Sequence, residues 1–140
     1  IKNNIRINVI GNINDLPSSL KKKLISVQKK TQKNKLIQVN VALNYGFKDE
    51  IIRSFKLIKK KSLTISKKNV EKNLYTNSIP DPEILIRTGG TNRLSNFLLW
   101  QLAYSEIFFV KKLWPDFSEK DYYNIISKFE KINRNFGSVK

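Results

Sequence analysis

The chain has 140 residues, the size of one ordinary domain, and its 27 basic and 11 acidic residues give a formal net charge of +16. It contains no Cys and no His, which excludes disulfide frameworks, Cys or His nucleophiles and ordinary zinc sites. Hydrophobic residues make up 40% of the chain, which argues against disorder, and no apolar run approaches the roughly 18 residues of a membrane span.

The sequence contains no Met and begins with Ile1. Because translation normally starts at Met, we expect the chain to be a processed product or a piece of a longer protein. Its first residues also lack the apolar stretch of a signal peptide.

The basic excess has two interpretations. Lysine supplies most of it and, together with Ile and Asn, suggests an AT-rich genome, so the lysine runs predict solvated helix faces. The alternative is a dedicated surface for a polyanion such as nucleic acid, or for an anionic membrane. The rarer arginines are more informative, because Arg87 and Arg93 lie six residues apart around a double glycine.

The first half of the sequence predicts two strands, each followed by a helix. Alternating apolar residues indicate strands over 5–10 and 36–43. A helix capped by Ser follows the first strand, and a second helix begins at about Lys48. We expect the second helix to bury a stripe formed by Ile51, Ile52, Phe55 and Ile58.

The second half continues the alternation. It predicts a short helix near Val70 and Leu74, then a rigid turn at 80–82 and a strand over 84–86. An apolar and central helix over 94–104 and a strand over 107–110 follow. The last helix begins with a near capping box at 118–121. Strands that alternate with helices indicate an α/β fold with a mainly parallel sheet and flanking helices. We find no clear domain boundary.

The segment 86–96 is the chemical centre of the sequence. It lies after a predicted strand and before a predicted helix, where open α/β sheets bind ligands. Two glycines allow close approach, free amides at a helix N-terminus attract anions, and Arg87, Arg93 and Ser95 add donors suited to phosphate oxygens. This pattern predicts a diphosphate-sized anion site. The pattern alone equally allows a plain turn with two exposed arginines.

Glu106 is a second candidate, because its carboxylate comes just before an apolar strand at the edge of the core. A carboxylate there could coordinate Mg²⁺, a hard ion that takes oxygen ligands and phosphate together. The alternative, favoured by position alone, is a helix-end carboxylate paired with a lysine. The sequence has no Asp-Asp-x-x-Asp run of the kind that gathers magnesium.

At these residues the sequence closely resembles the cis-prenyltransferases, the undecaprenyl diphosphate synthase family. The resemblance covers nearly the whole chain and is most specific over 84–117. It rests on the segments Val9-Ile10-Gly11, Ala42-Leu43-Asn44-Tyr45-Gly46, Arg87-Thr88-Gly89-Gly90, Arg93 to Gln101, Tyr104-Ser105-Glu106, Leu113 to Phe117 and Arg134-Asn135-Phe136-Gly137.

The resemblance implies an enzyme that condenses isopentenyl diphosphate onto an allylic diphosphate, usually farnesyl, with cis geometry and Mg²⁺. It makes Arg87, Arg93, Leu94 and Ser95 the substrate-binding set for isopentenyl diphosphate and Glu106 a Mg²⁺ ligand. It also implies a homodimer, and peripheral membrane contact is compatible with a lipid-making enzyme. We expect a cytoplasmic protein, and association with the membrane surface is compatible with this expectation. If the source is a eukaryote, we expect an organellar protein.

The family's Asp-Gly-Asn-Gly-Arg-Trp loop, whose aspartate is essential, has no counterpart in this sequence. The resemblance therefore implies that 1–140 is the C-terminal part of a single cis-prenyltransferase domain, with no catalytic residue of its own. Alone, it should bind one substrate weakly and catalyse nothing. Thr91 stands where many members have Glu, and Phe47-Lys48 replaces a common Gly-Arg.

Three hypotheses follow: part of an active cis-prenyltransferase, a non-catalytic partner subunit, and a basic module that binds nucleic acid. The Arg87, Arg93 and Ser95 set favours the first, because a purely structural subunit needs no diphosphate anchor. The third predicts a steep dependence of DNA or RNA binding on salt.

Overall fold

Two parallel strand pairs form the framework of the structure, a computed structural model that describes residues 3–134. The chain divides into two units, Ile1–Ile79 and Pro80–Lys140, and each unit contains one two-stranded parallel sheet, with three α-helices in the first unit and one in the second. The predicted α/β fold with parallel strands is therefore confirmed. Of the motif that closes the chain, Asn135, Phe136 and Gly137 lie outside the described residues.

The first unit pairs β1 with β2 in parallel register from Ile5 opposite Ile37 to Ile10 opposite Ala42. Its elements are β1 (Ile5–Ile10), a 3₁₀ turn at Ile13–Asp15, α1 (Ser18–Thr31), β2 (Ile37–Ala42), α2 (Phe47–Lys60) and α3 (Lys67–Glu71). The strands and helices predicted for this half are all present. The cap of α1 differs, because Pro17 occupies the N-cap position and no side chain caps the helix.

Polar side chains of α1 attach this helix to β1. The Thr31 hydroxyl accepts the amide of Ile7 at 3.1 Å, and the Gln28 side chain accepts the amide of Val9 at 2.9 Å. Thr31 is buried, so its hydrogen bonds are made away from water. These bonds satisfy amides of β1 that point away from β2.

The buried face of α2 is more polar than the predicted stripe. Glu50, Ser54 and Ile58 are its buried residues, spaced four apart on one face. From the predicted stripe only Ile58 is buried, whereas Ile52 and Phe55 are 51% and 42% exposed. The stripe was wrong because hydrogen-bonded Glu50 and Ser54, rather than apolar residues, occupy the inner face of the helix.

The second unit pairs β3 (Ile84–Arg87) with β4 (Glu106–Phe109) in parallel, from Ile84 opposite Glu106 to Arg87 opposite Phe109. A 3₁₀ turn at Trp114–Asp116 leads to α4 (Glu119–Phe129). No helix in the described part of the chain is both long and apolar enough to cross a bilayer.

The capping box predicted for the last helix is confirmed. Ser118 accepts the amide of Asp121 through its hydroxyl, and the Asp121 carboxylate accepts the amide of Ser118 at 2.8 Å. Hydrogen bonds from Lys112 and then from Ser118 hold the pKa of the Asp121 carboxyl well below its usual range. Asp121 is therefore a carboxylate throughout the neutral pH range.

The helix predicted over 94–104 is wrong. Hydrogen-bonded turns occupy 95–104 instead, although Gln101 and Leu102 within them are buried as a central segment requires. Ser95, Asn96 and Leu98 have φ values of 48°, 60° and 46°, in the left-handed region. A right-handed helix cannot pass through such residues. The apolar composition predicted burial correctly and local conformation incorrectly.

Glu50 is the residue whose loss should most destabilise the first unit. It is 1% exposed, and its two carboxylate oxygens accept the Tyr75 amide and the Tyr45 hydroxyl, each at 2.6 Å. Glu50→Ala removes both acceptors inside the protein, so we expect the free energy of unfolding to fall by about 2–4 kcal/mol. Urea unfolding followed by far-UV circular dichroism measures the change.

Asp49→Ala is the matched control, since Asp49 is an exposed acid in the same first turn of α2. It should lower the free energy of unfolding by less than about 1 kcal/mol, the loss expected from the helix dipole alone. Equal losses for the two variants would contradict a structural role for the buried carboxylate.

Candidate functional site in the second unit

The second unit places the double glycine directly beyond β3, as the sequence predicts. Gly89 and Gly90 have φ values of +94° and +70°. An added Cβ would meet nothing within 4 Å at Gly89 and only ordinary contacts at Gly90. The glycines are therefore needed for their left-handed backbone conformation, and close packing does not require them.

The backbone amides of this turn are not free. Gly89 donates to the Lys112 carbonyl at 2.7 Å and Gly90 donates to the Val110 carbonyl at 3.0 Å. No helix begins after the turn, so the predicted helix N-terminus is also absent here. The two glycine amides are thus already engaged within the protein, so donors for an anion have to come from other groups of the segment.

The guanidinium of Arg87 gathers the segment that follows. Its Nε donates to the Thr91 hydroxyl at 3.0 Å, and its Nη1 donates to the Ser95 hydroxyl at 3.1 Å and to the Arg93 carbonyl. The structure thus brings together Arg87, Ser95 and the backbone of Arg93. Thr91 was noted in the sequence only as a departure from the family and is in fact a direct partner of Arg87.

The charge of this segment is uniformly positive. No Asp or Glu occurs between Glu83 and Glu106, so neither Arg87 nor Arg93 has a carboxylate neighbour within the loop. The side chain of Arg93 is exposed, Leu94 beside it is half-buried, and Ser95 is exposed. A small anion at this loop would therefore meet the Arg87 guanidinium and the Ser95 hydroxyl together, with the exposed side chain of Arg93 on the same segment.

Glu106 lies at the other end of the strand pair. It is the first residue of β4 and is paired with Ile84, whereas Arg87 is the last residue of β3. Three residue steps separate the two positions along the sheet, or about 10 Å. The structure does not bring Glu106 to the Arg87 loop.

The residues around Glu106 do not by themselves form a magnesium site. Within 3–134 there is no group of three or more acidic side chains able to hold a metal ion. The neighbouring Glu83 is engaged with Arg134, whose Nη1 donates to it at 2.7 Å. One carboxylate is too few for Mg²⁺ unless substrate phosphates or other chains complete its shell.

A cavity of about 340 Å³ in the first unit was not predicted from the sequence. It borders the carboxyl ends of β1 and β2, and its walls include Asn12, Asn44, Glu50, Arg53 and Tyr75. The guanidinium of Arg53 lies 4.2 Å from the centre of the Tyr75 ring, and burial raises the pKa of the Tyr75 hydroxyl.

Several polar groups on the walls of this cavity are hydrogen-bonded within the protein. The Asn44 amide donates to the Asn12 carbonyl at 2.9 Å, and Arg53 donates to the Asn73 carbonyl at 2.9 Å. An added Cβ at Gly11 would lie 2.1 Å from the Leu43 carbonyl oxygen, so the loops after β1 and β2 are in direct contact. The cavity walls are built for packing these loops, and the second unit remains the stronger candidate for a ligand site.

The sequence of the chain is similar to those of bacterial prenyltransferases. The chain is 43% identical over 145 residues to an isoprenyl transferase of Clostridium tetani, covering 99% of this chain and 57% of that protein. It is 40% identical over 146 residues to the (2E,6E)-farnesyl-diphosphate-specific ditrans,polycis-undecaprenyl-diphosphate synthase of Micrococcus luteus, covering 99% of this chain and 59% of that protein. The chain thus spans about three fifths of the length of these relatives.

The fold of the chain is similar to that of a solved protein from the same group of relatives. The crystal structure of a probable undecaprenyl diphosphate synthase from Campylobacter jejuni superimposes with a TM-score of 0.89 and 37% identity, covering 98% of this chain and 65% of that one. The family model described as "Putative undecaprenyl diphosphate synthase" matches residues 1–137. With the parallel strands, the arginine loop and these similarities in hand, the chain belongs to the undecaprenyl diphosphate synthase family of prenyltransferases.

Proposed function

We propose that this chain supplies the isopentenyl diphosphate anchor of an enzyme that elongates cis-prenyl chains. In this proposal the diphosphate binds at the Arg87 loop, through Arg87, Arg93 and Ser95, with Leu94 beside the hydrocarbon end. The partner substrate is an allylic diphosphate such as farnesyl diphosphate, which is supported by the farnesyl-diphosphate specificity in the name of the Micrococcus luteus relative. The product is a longer polyprenyl diphosphate.

The donor geometry of Arg87 is the observation that carries the proposal. A guanidinium has five N–H donors, and three of those in Arg87 are directed at Thr91, Arg93 and Ser95. Nothing within 3–134 accepts from Nη2, and in this proposal its two hydrogens serve the phosphate oxygens. Because the other three bonds fix the plane of the group, a diphosphate meets an oriented donor and loses little side-chain entropy on binding.

The chemistry of prenyl elongation explains why such an anchor is needed. The allylic C–O bond breaks and the diphosphate leaves with its electron pair, while the alkene of isopentenyl diphosphate supplies electrons to the allylic carbon and then loses a proton. An anchored diphosphate holds that alkene in line with the ionising carbon. Arg87 and Arg93 thus position the nucleophilic substrate and take no part in bond breaking.

No residue of this chain is proposed as the catalytic acid or base. The family's Asp-Gly-Asn-Gly-Arg-Trp loop is absent from these 140 residues. We therefore propose that turnover needs groups outside this sequence, and that the chain alone binds isopentenyl diphosphate weakly without transferring it. We also propose the C-terminal part of one prenyltransferase domain as its place in the whole protein, and a homodimer as its assembly.

Arg93→Ala should weaken binding of isopentenyl diphosphate to the chain by about 10-fold or more, because a charge-assisted hydrogen bond to phosphate is lost. Isothermal titration calorimetry measures the dissociation constant. Arg6→Ala is the control, since Arg6 is an exposed arginine of β1 and its loss changes the net charge equally. We expect it to change the dissociation constant by less than about twofold, because Arg6 belongs to β1 and not to the loop that carries the proposed anchor.

In a longer form with prenyltransferase activity, Arg93→Ala should raise the KM for isopentenyl diphosphate far more than the KM for farnesyl diphosphate. Equal increases in both values would contradict the assignment of this loop to isopentenyl diphosphate. Equal effects of Arg93→Ala and Arg6→Ala in calorimetry would show that binding follows net charge and would instead favour the basic-module hypothesis.

Thr91→Val should weaken isopentenyl diphosphate binding by about three- to tenfold, because Arg87 Nε loses its neutral acceptor and the guanidinium its fixed plane. Thr91→Ser keeps the hydroxyl and should bind as the unchanged chain does. Isothermal titration calorimetry of both variants with isopentenyl diphosphate measures the two dissociation constants. If the valine and serine variants bind alike, Thr91 does not orient Arg87.

Magnesium at Glu106 is a separate proposal, on which no step above depends. Glu106→Gln in the active longer form should raise the Mg²⁺ concentration that gives half-maximal turnover by about 10-fold, because a carboxylate ligand is replaced by a weaker amide oxygen. Glu83→Gln is the control, since Glu83 is paired with Arg134. An unchanged Mg²⁺ dependence in Glu106→Gln would remove this residue from the metal site.

A further inference from the structure

Residues 110–112, directly after β4, hold the double-glycine turn in place. The carbonyls of Val110 and Lys112 accept the two glycine amides at 3.0 and 2.7 Å, and the Val110 amide donates to the Arg87 carbonyl at 2.7 Å. The backbone of Arg87 and the backbone of the glycine turn are therefore both hydrogen-bonded to residues 110–112. The direction in which the Arg87 side chain leaves β3 depends on where those residues lie.

An ion pair attaches residues 110–112 to the first turn of α4. The Nζ of Lys112 lies 2.8 and 2.7 Å from the two carboxylate oxygens of Asp121. Asp121 is fixed in its turn, because it also accepts the Ser118 amide at 2.8 Å and the Ser118 hydroxyl at 2.6 Å. The helix packs into the second unit through buried Ile125.

This pair differs from an ordinary surface ion pair. Exposed pairs contribute little, largely because both side chains lose conformational freedom when they meet. Here the Asp121 side chain is 21% exposed, and the capping box orders it independently of Lys112. Only the lysine has to be ordered, and both carboxylate oxygens contact its ammonium group.

We infer that Lys112 and Asp121 form a positioning pair for the anion site. The ion pair holds residues 110–112 against α4, residues 110–112 hold the glycine turn, and the turn directs Arg87. The inference rests on the proposed function, since it concerns the same diphosphate anchor. Lys112 and Asp121 lie outside the Arg87 loop and would position its guanidinium through the backbone of residues 110–112.

The test compares Lys112→Met, Asp121→Asn and the double variant, with Lys111→Met as the control. Lys111 is the adjacent exposed lysine, so its replacement removes the same charge from the same segment without breaking the pair. The readouts are amide hydrogen exchange at Gly89 and Gly90 by NMR, and the dissociation constant for isopentenyl diphosphate by calorimetry.

We expect Lys112→Met and Asp121→Asn each to speed exchange at both glycines and to raise the dissociation constant by about three- to fivefold. The double variant should be no worse than either single variant, because the two residues act through one interaction. Lys112→Arg retains the pair and should restore both readouts. Lys111→Met should leave the exchange rates unchanged.

Failure of the inference is distinguishable from failure of the proposed function. If the unchanged chain does not bind isopentenyl diphosphate, the proposed function fails, and glycine exchange still tests whether the pair holds the turn. If the unchanged chain binds, but Lys112→Met and Lys111→Met give equal exchange rates and equal affinities, the positioning pair is overturned. Lys112→Arg, which removes no charge and no packing volume, guards against a variant that simply fails to fold.

Discussion

The guanidinium of Arg87 is the interaction on which the candidate site depends. Residues 91–104 lie between two strands without any regular helix. Arg87 helps to hold the first part of this segment, because it donates to two hydroxyls and one carbonyl of the loop. The same group that shapes the loop also carries its charge. Removing Arg87 would therefore disturb the loop and the proposed anion site together, so its neighbours are the more informative residues to replace.

Two acidic residues of this basic chain serve as acceptors at structural junctions. Glu50 accepts from Tyr75 and Tyr45 inside the first unit, and Asp121 joins the start of α4 to the segment after β4. Such sites need an acceptor of fixed position, for which a carboxylate with two oxygens is well suited. The stretch from Arg87 to Ser105, by contrast, contains no acid at all. Its positive charge is therefore not balanced by any carboxylate of the same stretch.

The sequence predicted the parts of this structure that local patterns determine. Apolar alternation located β1 and β2, and Ser118 with Asp121 predicted the cap of α4, because strand faces and caps depend on neighbours in sequence. The helix predicted over 94–104 is wrong, since the apolar composition is compatible with a helix and only Asn96 among its three left-handed residues is of a type that favours that conformation. The partners of the glycine amides were missed for a related reason. Their acceptors are backbone carbonyls of 110–112, which any residue type could provide.

The position of Glu106, however, could have been derived from the sequence together with chain topology. In a parallel pair, the residue that ends one strand and the residue that begins the next must lie at opposite edges of the sheet. Arg87 ends β3 and Glu106 begins β4, so the crossover between them returns the chain from the carboxyl edge to the amino edge. A metal held at Glu106 would therefore not share the diphosphate bound at Arg87 within the same pair of strands. If both residues serve one reaction, the second substrate or another polypeptide segment has to bridge the distance between them, and this is why the anchor and the metal proposal are tested separately.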